Sequence, residues 1–404
     1  MTQITQQIPA GWTSKTLSEL CDILIGGTPS RNKKEYWDSN KDGNNVWISI
    51  RDLSNGPKYI ADSAEYISDT GIEKSNVKPI PKGTVLMSFK LTIGRTAITA
   101  REVYTNEAIA GFLLKNKDFL DPKFLYYALP TLQYDVDTAV KGATLNKEKL
   151  KTTNIILPTL HEQTKIATIL SKVDDEIEKV EKVIERTEKL KKGLMQNLLT
   201  KGIGHTKFKQ TELGEIPEEW ETKKLGKVCK FENGKAHEKQ ISENGNYIVV
   251  NSKFISTDGE TVKHTNDNLK PLSVGDIVMV MSDVPSGKAL GKCFLISKNN
   301  SYTLNQRICS LRPINGNSNF YFHVLNRNNY FLSFDNGVGQ TNLRKDEVLD
   351  CPVPVPPITE QEQIAKILNS IEDYTFKNIK IRFNLLKLKK GLMNDLLSGK
   401  VRTI

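Results

Sequence analysis

The sequence predicts an α+β protein built as an internal repeat: two similar globular domains, each followed by a long helix, with the two helices pairing as an antiparallel coiled coil. Three observations predict it. Residues 188–200, EKLKKGLMQNLLT, return at 386–398 as LKLKKGLMNDLLS, and HEQTKIATIL at 161–170 returns as TEQEQIAKIL at 359–368, always 198 residues apart. The two halves also open alike, with IPAGWTSKTLSELCDI at 8–23 and IPEEWETKKLGKVCKF at 216–231. Between opening and helix lie short β-prone runs, VWISI at 46–50, GTVLMSF at 83–89 and GDIVMVM at 275–281, flanked by Gly, Pro, Asn and Asp. Two copies are too few for a solenoid, so the repeat reads as a pseudo-twofold architecture.

Taken in order, the chain divides into a first globular domain (1–158), a central helical region (159–203), a second globular domain (204–356) and a C-terminal helical region (357–404). Within the globular parts VKPIPKGTVLMSF at 77–89 answers LKPLSVGDIVMVM at 269–281, and TNEAIAGFLLKN at 105–116 answers LNQRICSLRPIN at 304–315. The separations there are 192 and 199 residues, so insertions sit in loops while the helices keep a fixed length. A short helix is expected within DPKFLYYALPTL (121–132).

Thr159-x-x-Glu162 and Thr359-x-x-Glu362 fit the capping box, with Pro158 and Pro357 just outside. In the first helix Ile166, Leu170, Val173, Ile177, Val180, Ile184 and Thr187 step by fours and threes, and Leu190, Leu194 and Leu198 continue the stripe, which is a coiled-coil seam. Roughly 40 residues at about 1.5 Å each make a rod of about 60 Å. The second helix keeps Ile364, Leu368, Ile371, Leu385, Leu388, Leu392 and Leu396, but Thr375, Asn378 and Arg382 replace Ile177, Val180 and Ile184. Apolar side chains stand next door at Phe376, Ile379 and Phe383, so the seam is expected to rotate there by about one residue. The chain must return on itself through a whole domain, which favours antiparallel pairing over two helices that each pack on their own domain.

Lys and Arg number 57 against 47 Asp and Glu, a net charge of +10 spread over loops and helices, as a surface that meets a polyanion requires. The cysteines, Cys21, Cys229, Cys293, Cys309 and Cys351, show neither zinc-site nor disulfide spacing, so reduced thiols are expected. No apolar run approaches a membrane span and no leader opens the chain, which predicts a soluble intracellular protein without membrane partners.

Catalytic signatures fail. The sequence holds no P-loop, GIGHTK at 202–207 follows a helix rather than a strand, and no Asp/Asn/Ser-Pro-Pro-aromatic box of an amino-methyltransferase occurs. The histidines, His161, His205, His237, His264 and His323, form no metal-ligand spacing. What remains are polar loops. GGTPSRNKKEYW (26–37) offers Thr28, Ser30, Arg31, Lys33 and Lys34, and an isolated loop of this kind is more often a solvated turn. Arg51 of WISIRDL, Lys90 and Arg95 of SFKLTIGRTA, and Lys141, Thr144 and Asn146 of VKGATLNKEKL extend that set. In the second half the corresponding loops carry Lys235, His237, Lys239, Asn251, Lys253, Lys288, Gln306, Gln340, Thr341, Asn342 and Arg344. Lysines neutralise phosphates, whereas amides and guanidinium groups pair bidentately with adenine or guanine edges. The scaffold repeats and the loops do not, as two different half-sites would require.

The order IPxGW, GGTPSR, WISIRDL, LTIGRTA, GATLNKEKL and ILPTLHEQTKIATIL, then a long basic helix, all repeated in variant form, resembles the specificity subunit of type I restriction–modification systems. Its strongest element is Leu160-His-Glu162-Gln163-Thr-Lys-Ile166, present again as Ile358-Thr-Glu360-Gln361-Glu-Gln-Ile364. The resemblance implies a non-catalytic chain with two target recognition domains, each reading half of a bipartite site in double-stranded DNA. It implies helices that act as spacer and platform for two modification subunits, which would bring S-adenosylmethionine and methylate adenine. Restriction subunits would add ATP- and Mg-dependent translocation and cleavage, and this chain itself would bind no cofactor. The rival readings are a self-sufficient DNA-modifying enzyme and a coiled-coil adaptor without DNA contacts.

Overall fold

The computed structural model describes residues 8–54, 56–139, 142–237, 239–284 and 287–403. It forms two compact units, Met1–Lys179 with Ile381–Ile404, and Val180–Lys380.

The first unit opens on β1 (Thr13–Thr16), α1 (Leu17–Leu20) and β2 (Cys21–Ile25), then runs through β3 (Val46–Ile48), α2 (Ile50–Ser54), β4 (Tyr59–Ile60), β5 (Glu65–Tyr66), α3 (Asp69–Glu73), β6 (Val85–Ser88), β7 (Thr96–Thr99), β8 (Tyr104–Thr105), β9 (Ile109–Leu114) and α4 (Pro122–Ala128). It ends with β10 (Asp137–Ala139), β11 (Gly142–Thr144), α5 (Lys147–Thr152), β12 (Asn154–Leu157) and the start of α6 (Leu160–Lys201). Its main sheet has the order β2-β9-β6-β7-β4, and β5-β3-β8 form a second. Both faces of β6 are covered, so Val85, Leu86 and Met87 are apolar without alternation. Val85 and Met87 join a core with Phe112, Phe124 and Leu125, while Leu86 joins another with Val46, Ile48 and Ile109.

The second unit repeats this plan. β13 (Phe208–Thr211) and β14 (Gly214–Pro217) form a hairpin before β15 (Glu221–Lys224), α7 (Leu225–Val228), β16 (Cys229–Asn233), β17 (Tyr247–Val250), α8 (Ser252–Ser256), β18 (His264–Thr265), β19 (Ile277–Val280), β20 (Ser282–Asp283), β21 (Cys293–Leu295), β22 (Tyr302–Leu304), β23 (Ile308–Pro313) and α9 (Ser318–Leu325). After α10 (Asn329–Leu332) come β24 (Thr341–Asn342), α11 (Lys345–Leu349), β25 (Pro352–Val355) and α12 (Ile358–Leu397). The sheet order β16-β23-β19-β21 matches that of the first unit less its last strand. Ile277 and Met279 face one core, and Val278 and Val280 the other.

The long helices pair antiparallel within each unit. In the first, Ile166, Ala167 and Leu170 of α6 share a core with Leu396 of α12, and Lys389 binds Asp174 at 2.6 Å. In the second, Leu198 meets Ile364, Ala365 and Leu368, and Lys191 binds Glu372 at 2.5 Å. Asp174 and Glu372 are one 198-residue repeat apart, and so are Lys191 and Lys389, so both units use the same register.

Three expectations change. The seam does not rotate in α12: Asn378 stays buried with its amide on the Tyr374 carbonyl at 2.8 Å, while Phe376 and Phe383 are 68% and 66% exposed. Packing at both helix ends fixes the phase, and the local apolar residues cannot turn it. Leu190 and Leu388, predicted on the stripe, are 52% and 50% exposed. Thr359 lies inside α12 rather than capping it, since the amides of Glu360 and Gln361 reach the Pro357 carbonyl. At the first helix the Thr159 hydroxyl does accept the Glu162 amide at 3.4 Å, but the Glu162 carboxylate is used elsewhere. In addition, Ile50 begins a helix instead of ending the predicted strand.

That carboxylate explains the Glu-Gln motif. Glu162 accepts from the Trp12 indole at 3.2 Å, from the Arg402 guanidinium at 2.8 and 2.9 Å and from the Thr403 amide at 3.2 Å. Glu360 accepts from the Trp220 indole and the Ile203 amide, both at 2.9 Å, and lies 2.9 Å from His205 Nε2. Gln163 accepts the amide of Asp121, the cap of α4, at 2.9 Å, and Gln361 accepts the amide of Asn317, the cap of α9, at 3.0 Å. Each unit is thus closed by its helix start, its opening tryptophan and the segment that follows a long helix. Gly202 and Gly399 end those helices at φ +66° and +72°, and a Cβ on either would collide with Trp220 or with Pro9.

Candidate nucleic-acid interface

The loops singled out from the sequence converge in each unit. In the first, Gly27 donates its amide to the Thr105 carbonyl at 2.8 Å, and Leu145 donates to the Phe89 carbonyl at 3.1 Å. With the Phe89 amide on the Ala108 carbonyl at 2.9 Å, these bonds gather segments 26–34, 88–95 and 142–146 around residues 105–108. In the second, Lys235 donates to Leu304 at 3.1 Å, Met281 to Arg307 at 3.0 Å and Leu343 to Met281 at 2.8 Å, gathering the corresponding segments. Gly26 and Gly234 make the approach possible, because a Cβ on either would overlap the carbonyl oxygen of Thr105 or of Asn305.

Thr28 donates its hydroxyl to Glu107, a residue that the sequence reading missed. Burial raises the Glu107 carboxyl, but the Thr28 hydroxyl and the nearby Lys90 and Arg31 outweigh it and hold the group below its usual value. Arg31 lies against the corner formed by the edge-to-face pair Trp37 and Trp47, 3.8 and 4.8 Å from the ring centroids, with both terminal nitrogens on Glu65. Its planar fork is therefore oriented before any ligand arrives, and Glu65 occupies it. Lys33 hydrogen-bonds the Tyr36 hydroxyl at 3.0 Å, which raises its pKa and keeps it charged. Ser30, Lys34 and Arg51 are exposed, and Lys90 and Arg95 are half-buried at the turn where Leu91 adopts φ +66° and Gly94 φ +90°.

Other candidates serve the fold. Asn146 and Asn251 cap α5 and α8, each accepting a helix amide at 2.9 Å. His237 is corrected from a surface contact to a core residue: it is fully buried, with Nδ1 2.7 Å from the Lys235 carbonyl and Nε2 3.0 Å from the Thr303 hydroxyl. Arg344 bonds Glu347 at 2.9 Å. Lys141 and the Thr144 side chain lie outside the described residues.

The second unit presents an amide cluster. Gln340 donates to the Ser282 hydroxyl at 2.8 Å, Ser282 donates to Asn342 at 2.6 Å, and Thr341 donates to Asp335 at 3.2 Å, all along the β20–β24 pair. Gln306 stands on the adjoining turn beside Arg307, whose φ is +65°. Lys235, Lys239, Lys253 and Lys288 are exposed. Ser282 and Arg307 were missed because only the fold brings them to Gln340. Among the described residues no three His, Cys, Asp or Glu side chains form a metal-binding group, and no helix is long and apolar enough to cross a membrane. All five cysteines are buried and free, and burial pushes the Cys21 and Cys309 thiols up to about 12.

The type I restriction modification DNA specificity domain matches this chain twice, over residues 9–188 and 217–388. The type I restriction enzyme MjaVIII specificity subunit of Methanocaldococcus jannaschii is 30% identical over 364 residues, covering 84% of this chain and 85% of that one. The S subunit of a type I restriction–modification system from M. genitalium has the same fold, with a TM-score of 0.60 at 17% identity over 98% of both chains. A chain from a structural study of complex assembly and conformational transition in the type I R-M system gives 0.55 at 18% identity, over 98% of this chain and 100% of that one.

Proposed function

We propose a function from one premise: the chain belongs to the type I restriction modification DNA specificity family. It is the DNA sequence-recognition subunit of a restriction–modification complex, reading a bipartite duplex site with one half-site per recognition domain. The observation that carries this reading is the double match, with its shared strand order and glycine seats under loops whose side chains differ.

Exposed Lys33, Lys34, Lys235, Lys239 and Lys288, with Arg31 beside them, neutralise phosphates, while the Gln340–Ser282–Asn342 cluster addresses base edges. The chain recognises rather than catalyses. Two modification subunits carry S-adenosylmethionine and methylate adenine, and restriction subunits supply ATP- and Mg-dependent cleavage, all in the cytoplasm. Support comes from the resemblance to specificity subunits and from the lack of any catalytic signature in the sequence.

The test is a footprint of the chain together with its modification subunit on a library of random duplexes. A protected bipartite sequence supports the reading. Modification of DNA by the purified chain alone would instead make it an enzyme, and sequence-indifferent binding would make it an adaptor. Exchanging residues 1–150 for another module should alter one half-site only.

A further inference from the structure

In the first unit the main sheet ends on β4, which runs parallel to β7 with Tyr59 opposite Ile98. The amide of Ile98 donates to the Lys58 carbonyl at 2.8 Å. From there the Lys58 side chain enters a cage on α4 and α6. Its ammonium donates to the Tyr127 hydroxyl at 2.8 Å and the Ser171 hydroxyl at 2.6 Å, and lies 5.3 and 4.7 Å from the Tyr126 and Tyr127 ring centroids. Asp174 and Asp175 supply the negative field, and Asp174 also accepts from Tyr127.

The second unit contains this cage without the lysine. The pairing of Val85 with Ile98 is repeated as Ile277 with Leu295, so Leu295 stands where Ile98 does. Around it Phe322 replaces Tyr126, His323 replaces Tyr127, Asn369 replaces Ser171, and Glu372 and Asp373 replace Asp174 and Asp175. The His323 imidazole is buried, with Nε2 2.8 Å from the Asn369 Oδ1 and Nδ1 3.9 Å from Glu372. No strand among the described residues pairs with the outer edge of β21. Where the first unit places β4, the chain turns away through Asp258 and Gly259 at φ +51° and +87°. A cavity of about 370 Å³ remains, lined by Asp258, Leu295, Phe322, Asn369, Glu372 and Asp373 among others.

The charges differ in the same sense. Lys191 holds Glu372 as Lys389 holds Asp174, and Lys292 holds Asp258 at 2.9 Å. The positions of Lys58 and Lys123, however, have no cationic counterpart, since Asn319 stands for Lys123 and the strand that bears Lys58 is missing. The Cys293 amide on the outer edge of β21 is taken by the Asn326 side chain at 3.0 Å, but among the described residues the edge at Leu295, the counterpart of Ile98, has no strand partner. The cavity therefore combines a strand edge free at Leu295, an aromatic wall and a carboxylate pair that lacks the lysine its twin has.

We propose that an extended segment of another chain adds to the outer edge of β21 as a parallel strand and delivers a lysine ammonium into this cavity, as Lys58–Ile60 does in the first unit. The occupant is defined by chemistry: a lysine followed by an aromatic and an aliphatic residue in extended conformation. Main-chain bonds to the strand edge would supply affinity, and the carboxylates with Phe322 would select the cation. The inference stands apart from the DNA-reading role and can fail without it.

The probe is a fluorescent peptide GPKYIAD, the sequence of residues 56–62, titrated by anisotropy against the full-length chain. Saturable binding is expected, weakened about tenfold or more when the peptide lysine is replaced by methionine. Asp373→Asn, on an exposed helical position, should weaken it in the same direction with an unchanged melting temperature. Leu295→Pro, which removes one outward amide from the edge, should also weaken the methionine peptide, because that loss is independent of charge. Equal affinity for the lysine and methionine peptides, indifference to Asp373→Asn, or no saturation by about 1 mM peptide would each overturn the proposal.

Discussion

The phase of the helix seam is the most exacting test of the fold, because sequence pattern and structure disagree about it. Leu368 and Phe376 are both apolar, both on α12 and both in the second unit, yet Leu368 is fully buried and Phe376 is 68% exposed. Truncating a buried leucine to alanine forfeits its transfer energy and leaves a cavity, about 3–4 kcal/mol. For a unit of this size that lowers the melting temperature by about 6–16 °C. Phe376 keeps only about a third of its side chain from water, so Phe376→Ala should cost under about 1 kcal/mol and less than about 3 °C. Thermal unfolding of the full-length chain, with hydrogen exchange over residues 358–380 to localise the loss, measures both. Equal destabilisation by the two substitutions would place Phe376 in the seam and refute the arrangement described.

The Arg402 guanidinium beside Glu162, reinforced by the Thr403 amide and Trp12, holds that carboxyl below its usual value. Its stabilisation is complete above the unfolded value near 4.5 and is lost as pH falls through the lower folded value. Unfolding midpoints between about pH 7 and 3 should thus decline more steeply for the natural chain than for Glu162→Gln. His323 shifts in the same direction for a different reason: burial lowers its pKa against the raising effects of Asn369 and Glu372, with Lys191 assisting the burial, so the folded imidazole resists protonation. As pH drops below about 6.5 the unfolded chain takes up the proton first, and stability falls until the folded value is reached. His323→Tyr, which installs the counterpart of Tyr127, should flatten that part of the profile. Finally, Lys33→Ala or Lys34→Ala should weaken DNA binding across all sequences and reduce the slope of log affinity against log salt by about one each, measured on the complex with its modification subunit.

Much of the fold was legible because repetition in the sequence is repetition in packing. Strands 85–88 and 277–280, the helix after residue 121 and the heptads near both ends of each long helix were all visible as patterns. The middle of α12 was misread since Phe376, Ile379 and Phe383 have the right spacing for a seam but not the right phase, and phase is set by contacts far along the chain. The candidate interface was legible as loops and not as atoms. His237 looked like a ligand to DNA by residue type, whereas it fills a core, and the helix-capping bonds of Asn146 and Asn251 did not show in the loop pattern. Arg31 was named without the Glu65 and the two tryptophans that orient it, because residues 34 positions apart carry no local signal of contact.

The Glu-Gln motif, the most recognisable element of the sequence, turns out to do no reading at all. Glu162 and Glu360 are buried beneath Trp12 and Trp220, and Gln163 and Gln361 grip the backbone at the caps of α4 and α9. In both copies these groups hold an indole and backbone amides, while the third partner of the glutamate differs, Arg402 for Glu162 and His205 for Glu360, so the shared contacts are those that keep Glu and Gln in both copies. DNA contacts impose the reverse demand. Two half-sites of different sequence call for different side chains on equivalent loops, so the reading surface is expected where the repeat fails, as at Arg31 against Lys239. Divergence inside an otherwise faithful internal repeat is accordingly the better guide to the reading surface, and fidelity the better guide to the clasp that holds it.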